Sequence, residues 1–332
     1  MTRLPTYAEL PRRSGLPCAW DVWQPGGDVL GCLNLLTPER AAAAARTVER
    51  GASFALNGSM ALPDPPLFGR RSFVHEVTGD EVSVGHDDVL HGWNTQSSSQ
   101  WDGFRHIRHP RINEDEPGTG HFGGVADADH GIDHWARRGI VGRGVLADVG
   151  RWRDEQGRPL RHDEPDAVTA DELLACLADQ GTTVADGDIL LVRFGWISWY
   201  LEQDAATRTL LADRATFRSA GFHPGEDVVR TLWDLHVAAL ACDNPGVEIW
   251  PRGSHLPEAV AAEALADPRR ADEVFAHTVL LPMLGLPLGE MFFLDDLAAD
   301  CAADGRYHFL VTSAPLHLPH GVASPPHALA IK

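Results

Sequence analysis

Two apolar runs of strand length set the terms for how this chain can fold. Residues 139–149 (Gly-Ile-Val-Gly-Arg-Gly-Val-Leu-Ala-Asp-Val) and 188–194 (Asp-Ile-Leu-Leu-Val-Arg-Phe) lack the in–out alternation of a half-exposed strand, so each reads as a strand buried on both faces. A helix lies between them. Thr169 and Glu172 form a capping box, and Val168 and Leu173 are placed as a hydrophobic staple. An amphipathic helix over 224–236, a strand over 237–242, an Ala-rich helix over 257–266 and a strand over 307–313 continue the alternation, and 272–281 reads as a helix-to-loop passage. Strands alternating with helices, without an internal repeat, predict the α/β class: a mixed β-sheet core with surrounding helices. No Ser/Gly linker divides the chain, so 1–332 reads as a single domain, with an irregular arm over 1–36 and an extended, proline-bearing tail over 314–332.

The first half is less regular. Thr37, Pro38 and Glu39 start a helix that stops by Gly51, followed by a strand over 52–56 and a Pro-rich connection over 57–70. A strand over 72–77 leads into a loop over 79–92 that carries His86, Asp87, Asp88 and His91. Next comes Asn94-Thr95-Gln96-Ser97-Ser98-Ser99-Gln100-Trp101-Asp102-Gly103-Phe104-Arg105-His106. This stretch has neither a helical nor a strand period. Its hydrogen-bonding side chains need partners, and a lined cleft would supply them. It therefore reads as the floor of a site, or else as a Ser-rich surface loop. Residues 108–134 read as irregular and His-rich, a long ordered segment of the kind that carries function.

The formal charge of −19 disfavours nucleic acid and anionic membranes. The N-terminus shows no apolar signal region and no run approaches membrane-spanning length, so the expected location is the cytoplasm. Five scattered cysteines without a Cys-x-x-Cys fit a reducing compartment. No Gly-rich phosphate loop is present, so no nucleotide cofactor is expected. Residues 195–199 are not a nucleophile elbow.

Histidine and carboxylate chemistry remains. Asp102 and His106 are four apart, and His277 and Glu290 bracket an apolar run with Gly and Pro. Such groups bind zinc or manganese, or act as general acid and base. Each pair alone reads equally as a hydrogen-bonded pair or a helix cap.

Taken together, these segments resemble the cyclase family that includes bacterial kynurenine formamidase and isatin hydrolase. That family's signature, His-x-Gly-Thr-His-x-Asp-x-Pro-x-His, laid on 96–106 matches Asp102 and His106. Gln96 and Gln100 stand where the signature has its first two histidines, and Phe104 where it has proline. The family's downstream His and Gly-Ile-Pro-(apolar)-x-Glu resemble His277 and 285–290; 31–37, 139–149 and 186–191 also resemble family segments. The resemblance covers about residues 28–313, and the Ser-Gln-Trp-Asp-Gly form with the 324–332 ending is similar to a longer subgroup. It implies a compact α/β fold, a homodimer or homotetramer, and hydrolysis of a cyclic or acyl amide, imide or lactone. It also implies one divalent ion, Mn²⁺ or Zn²⁺, on Asp102, His106, His277 and Glu290, since the imidazoles of a first metal site are absent.

A glutamine amide is a poor zinc ligand and no base, but it holds hydrogen bonds from a fixed place. Three activities are open to such a site. The first is a metal hydrolase whose catalytic groups are Asp102, His106, His277 and Glu290. The second is a metal-free lyase, dehydratase or cyclase of secondary metabolism working through His106, His277 and Glu290. The third is a small-molecule binder without catalysis. Gln96, Gln100, Trp101, Phe104, His121 and Phe122 are the expected substrate-binding residues, with the aromatic ones suited to a flat ligand.

Overall fold

The apolar runs lie side by side in one sheet. The computed structural model describes residues 3–24, 26–115 and 120–332; Met1, Thr2 and Pro25 of the arm and 116–119 of the His-rich stretch lie outside it. Nine strands, numbered in chain order, make up the main sheet: β1 Ser53–Ala55, β2 Gln100–Asp102, β3 Ile140–Asp148, β4 Ile189–Arg193, β5 Ala239–Cys242, β6 Leu288–Glu290, β7 His308–Ser313, β8 Ala323–Ser324 and β9 Ala328–Ile331. Their order is β8-β2-β6-β5-β4-β3-β7-β9-β1. The central four, β6 to β3, are parallel, and the flanks are antiparallel. The mixed sheet and α/β class are as expected.

The parallel centre explains the missing alternation. Ile189, Leu190, Leu191 and Val192 of β4, and all of β5, are buried because helices and loops cover both faces. The helix Ala170–Asp179 begins at the capping box, where Thr169 accepts from the Glu172 amide and Glu172 accepts from the Thr169 amide. Val168 and Leu173, the two staple residues, are fully buried.

Three expectations need correction. The loop over 79–92 is partly a strand: Asp87–His91 pairs antiparallel with Val74–Thr78 in a hairpin whose side chains are almost all exposed. The polar stretch does contain a strand, β2, buried between β8 and β6. Period could not show it, because β2 is three residues long and its polar side chains are consumed inside the site. The tail is extended, but it is no mere appendage. It supplies β8 at one edge and β9 near the other. The link over 325–327 spans at most ~14 Å, whereas seven flat strand spacings would put β8 and β9 ~34 Å apart. The sheet is therefore strongly curled.

The N-terminal arm is irregular and built into the core. Tyr7, Leu16 and Trp20 are buried, and the Trp20 indole N–H donates to Pro282 O at 2.6 Å. Gly31 lies against Gly285: a Cβ on Gly31 would sit 2.2 Å from the Gly285 carbonyl oxygen. This contact pins the apolar run between His277 and β6. The His-rich stretch holds short helices at Pro110–Asp115 and Asp133–Arg138. All five cysteines are buried and unpaired with one another. Among the described residues, no helix is long and apolar enough to cross a membrane.

Candidate active site

Strand register brings the polar stretch and the downstream Glu together. β2 runs antiparallel to β6, with Gln100 opposite Glu290 and Asp102 opposite Leu288. His277 opens the short helix His277–Leu280, and the pinned apolar run returns the chain from that helix to Glu290. Gln100, Asp102, His277 and Glu290 are all buried.

The carboxylates dictate how the glutamines point. A carboxylate only accepts, so each amide must turn its NH₂ toward it. Gln96 Nε2 donates to Asp102 Oδ1 at 2.9 Å. Gln100 Nε2 donates to the same oxygen at 3.2 Å and to Glu290 Oε2 at 2.6 Å. The second hydrogen of Gln96 Nε2 faces His106 Nδ1 at 3.1 Å. That nitrogen must then be an acceptor, so the His106 proton sits on Nε2. Burial lowers the His106 pKa, with His277 and Arg70 adding and Asp102 opposing. His106 is thus a neutral Nε2–H imidazole, a donor into the cleft.

His277 is held from both ends. Its Nδ1–H donates to Glu248, with both carboxylate oxygens within 2.8–2.9 Å, and its Nε2 lies 3.1 Å from Glu290 Oε1. Burial alone would lower its pKa; Glu248 and Glu290 outweigh burial and raise it well above the ordinary value. Burial pushes Glu290 up to about 7, with Asp102 adding and His277 and Arg70 opposing. Arg70 donates to the Gln96 carbonyl.

Two buried acceptors of the site are left over, Asp102 Oδ2 and Gln100 Oε1. Asp102 Oδ2 lies 3.9 Å from His106 Nε2 and 4.0 Å from His277 Nε2, beyond hydrogen bonding to either. A buried carboxylate oxygen without a partner is costly unless a ligand completes it. Asp102, His277 and Glu290 each offer a ligand atom within 4.8 Å of the others. Two carboxylates and an imidazole around an orphaned oxygen fit one divalent cation. Glu248 on Nδ1 would orient such a ligand histidine through Nε2. His106, the fourth expected ligand, is not part of this trio.

The fold therefore brings together Gln96, Gln100, Asp102, His106, His277 and Glu290. It separates the aromatic candidates from them. Trp101 is sealed between sheet and core, with its indole N–H donating to Ser313 Oγ at 3.0 Å and its ring on Phe292. Phe104 and Phe122 pack on each other in the core. His121 is occupied by Phe104 O at 3.0 Å and faces Asp127 at 3.3 Å. Trp101 faces away from Gln100 and Asp102, because β2 turns alternate side chains to opposite faces, while Phe104, Phe122 and His121 are buried and held by their own neighbours.

Glu248 and Arg70 carry no mark in the sequence. Glu248 lies in the turn after β5, 29 residues from His277, and nothing near it spells a ligand shell; the available signal was an acid just beyond the carboxyl end of a parallel strand. Phe275, two residues before His277, stacks on the imidazole with centroids 4.6 Å apart and planes 7° from parallel.

Residues 54–249 match the family model described as "Putative cyclase". A crystal structure of a protein described as a novel cyclase is 28% identical and superposes with a TM-score of 0.76 over 95% of this chain and 99% of that one. Isatin hydrolase A from Labrenzia aggregata, bound to benzyl benzoate, is 18% identical with a TM-score of 0.54, covering 90% of this chain and 98% of that one. Isatin hydrolase A from Ralstonia solanacearum is 18% identical with a TM-score of 0.53, covering 88% and 95%. Comparison of the sequence with curated proteins finds no match.

Proposed function

We propose that the chain, which belongs to the cyclase family, hydrolyses a C–N or C–O bond of a cyclic or acyl amide, imide or lactone. Asp102, His277 and Glu290 would hold one Mn²⁺ or Zn²⁺. The observation that carries this reading is the unpartnered Asp102 Oδ2 at the centre of the trio. An ion bound there supplies Lewis acidity and a water whose pKa falls toward neutral.

The side chains account for the rest. Glu248 fixes the His277 tautomer and leaves Nε2 toward the trio. Gln96 fixes His106 with its Nε2–H toward the cleft, where it can donate to the oxyanion that forms as water adds to the carbonyl carbon. With the ion bound, Glu290 would be a deprotonated ligand, and the water's proton would pass to the departing nitrogen or oxygen as the C–N or C–O bond breaks. The balance is water plus amide or ester giving acid plus amine or alcohol.

Metal analysis of protein purified without added chelator, paired with hydrolysis assays on a cyclic imide, an N-acyl aniline and an aryl lactone, tests the proposal. About one ion per chain is expected, with hydrolysis lost on chelation and restored by Mn²⁺ or Zn²⁺. Metal below about a tenth of an ion per chain, with hydrolysis surviving chelation, would overturn it.

A second reading rests on the glutamines. Their NH₂ groups already occupy Asp102 Oδ1 and Glu290 Oε2, leaving Glu290 and the His106 Nε2–H as an acid–base pair without an ion. A metal-independent lyase, dehydratase or cyclase would use that pair. It requires Glu290→Gln to abolish turnover in protein that holds no ion.

A further inference from the structure

An arc of rings and guanidiniums leaves the site at one end and returns to it at the other. Arg70, which bonds the Gln96 carbonyl, lies over the Phe68 ring at 5.4 Å. Arg214 lies over the same ring at 5.6 Å and over Trp250 at 5.6 Å. Arg252 lies over Trp250 at 5.5 Å and over Phe275 at 5.0 Å. Phe275 is the ring stacked on His277. Phe68 and Trp250 are 5.3 Å apart, so two neighbouring rings carry all three cations.

The grouping of these cations stands out in this molecule. The chain has 47 acidic residues against 28 basic ones, and most of its arginines are paired. Among the described residues, no carboxylate lies within ion-pair distance of Arg70, Arg214 or Arg252. Burial is the first cause of the lowered pKa of Arg70 and of Arg252; Glu290 and Asp102 offset it at Arg70 and Glu248 at Arg252, while Arg214 adds to it at both. Clustered like charges on a strongly acidic chain cost free energy that a bound anion would recover. Stacking a guanidinium on a ring fixes its plane and leaves its N–H edge free, the arrangement that grips a carboxylate with two parallel bonds.

We propose that Arg70, Arg214 and Arg252 form an anion subsite at the rim of the active site, and that the substrate is a planar acid whose carboxylate docks there while its hydrolysable bond reaches the Asp102–His277–Glu290 trio. This deepens the hydrolase reading and rests on it only for the chemical step, not for binding. The acid is one the substrate brings with it, distinct from the acid that hydrolysis releases. A monoanion suits the place better than a phosphate dianion, because Asp102, Glu248 and Glu290 sit on the floor just beyond. The partly exposed edges of Phe68 and Phe275 offer apolar contact to a flat body.

Binding to the full chain tests this without turnover. Benzoate, naphthalene-2-carboxylate and indole-3-carboxylate are each compared with the matching carboxamide, and with inorganic phosphate, by calorimetry and thermal shift. At least one acid is expected to bind about tenfold or more tighter than its carboxamide. The double variant Arg214→Gln/Arg252→Gln is expected to erase that preference while carboxamide binding stays. Arg214→Lys/Arg252→Lys is expected to keep part of it, and Arg138→Gln, on an exposed helix face, all of it. Equal binding of acids and carboxamides, absence of binding by every acid, phosphate binding without acid binding, or a preference that survives the double glutamine variant would each overturn the proposal. A protein that binds the acids through these arginines but hydrolyses nothing would sink the hydrolase reading and leave the subsite standing.

Discussion

Two buried charge networks lie along the carboxyl edge of the parallel strands, and they are built on opposite plans. The first joins the ends of β3, β4 and β5. Arg193 donates to Asp148 at 2.9 Å and to Asp295 at 2.8 Å, and Asp243 accepts from the Phe194 and Gly195 amides at 2.7 Å each. Both oxygens of Asp243 are taken. The second network, one strand further on, joins β6 to β2 and leaves Asp102 Oδ2 and Gln100 Oε1 without partners. Burial gives both the same electrostatic mark: Asp243 and Glu290 are each pushed up to about 7. A perturbed carboxyl therefore does not distinguish scaffold from site in this protein. Between these two networks, the carboxylate oxygen left without a partner does.

The largest expected effect breaks the closed network. Arg193→Met leaves the buried Asp148 and Asp243 and the half-buried Asp295 without their cation, and should cost about 3–5 kcal/mol in denaturant unfolding. A loss under about 1 kcal/mol would mean that this network is as open as the other. Next comes the open network's outer support. Glu248→Gln should weaken Mn²⁺ or Zn²⁺ binding about 10- to 100-fold in calorimetric titration, with the fold intact. Unchanged affinity would remove Glu248 from the site.

Acid tests the closed network from another side. His162 lies beside it, near Gly195 and packed on Trp199, and burial first, then Arg193, hold its pKa down to about 4. The unfolded chain takes this proton near 6.5 and the folded chain only near 4. Its contribution to stability is therefore present above about 6.5 and is lost as pH falls toward 4. His162→Phe should flatten that part of the urea stability profile, and an unchanged slope would exclude His162 as a source. The smallest effect belongs to the site itself. Asp102→Asn removes one of three clustered carboxylates without leaving a cation unpaired, so ion-free stability should change by less than about 1 kcal/mol or rise slightly. A large loss would show that Asp102 is scaffold as well.

The same contrast explains which parts of the molecule are legible in the chain. β3, β4, β5 and the capped helix are legible because burial on both faces and local capping write themselves into adjacent residues. β2 is not, since its three residues owe their strand to neighbours more than a hundred residues away. The tail strands are hidden for the same reason. In the site, Gln96, Gln100, Asp102, His106, His277 and Glu290 stand out as chemistry without a structural period. Glu248 and the arginine arc do not, because isolated acids and arginines are everywhere on an acidic chain. Trp101, Phe104, Phe122 and His121 mislead as ligand walls because an aromatic next to a polar group reads alike whether it lines a cleft or roots a loop.

The interleaving of the tail carries a consequence for how the molecule comes together. Among the described residues, β1, from residues 53–55, pairs only with β9, from residues 328–331, and β9 itself lies on β7. An early segment thus has no place in the sheet until a segment nearly the whole chain away has docked. Contacts of such sequence separation form late and slow the search. Until they form, the β7 edge offers unpaired N–H and C=O groups to any strand that arrives, another copy included. Refolding should accordingly show late protection of the 53–55 and 328–331 amides from hydrogen exchange, after those of β3, β4 and β5 are already closed.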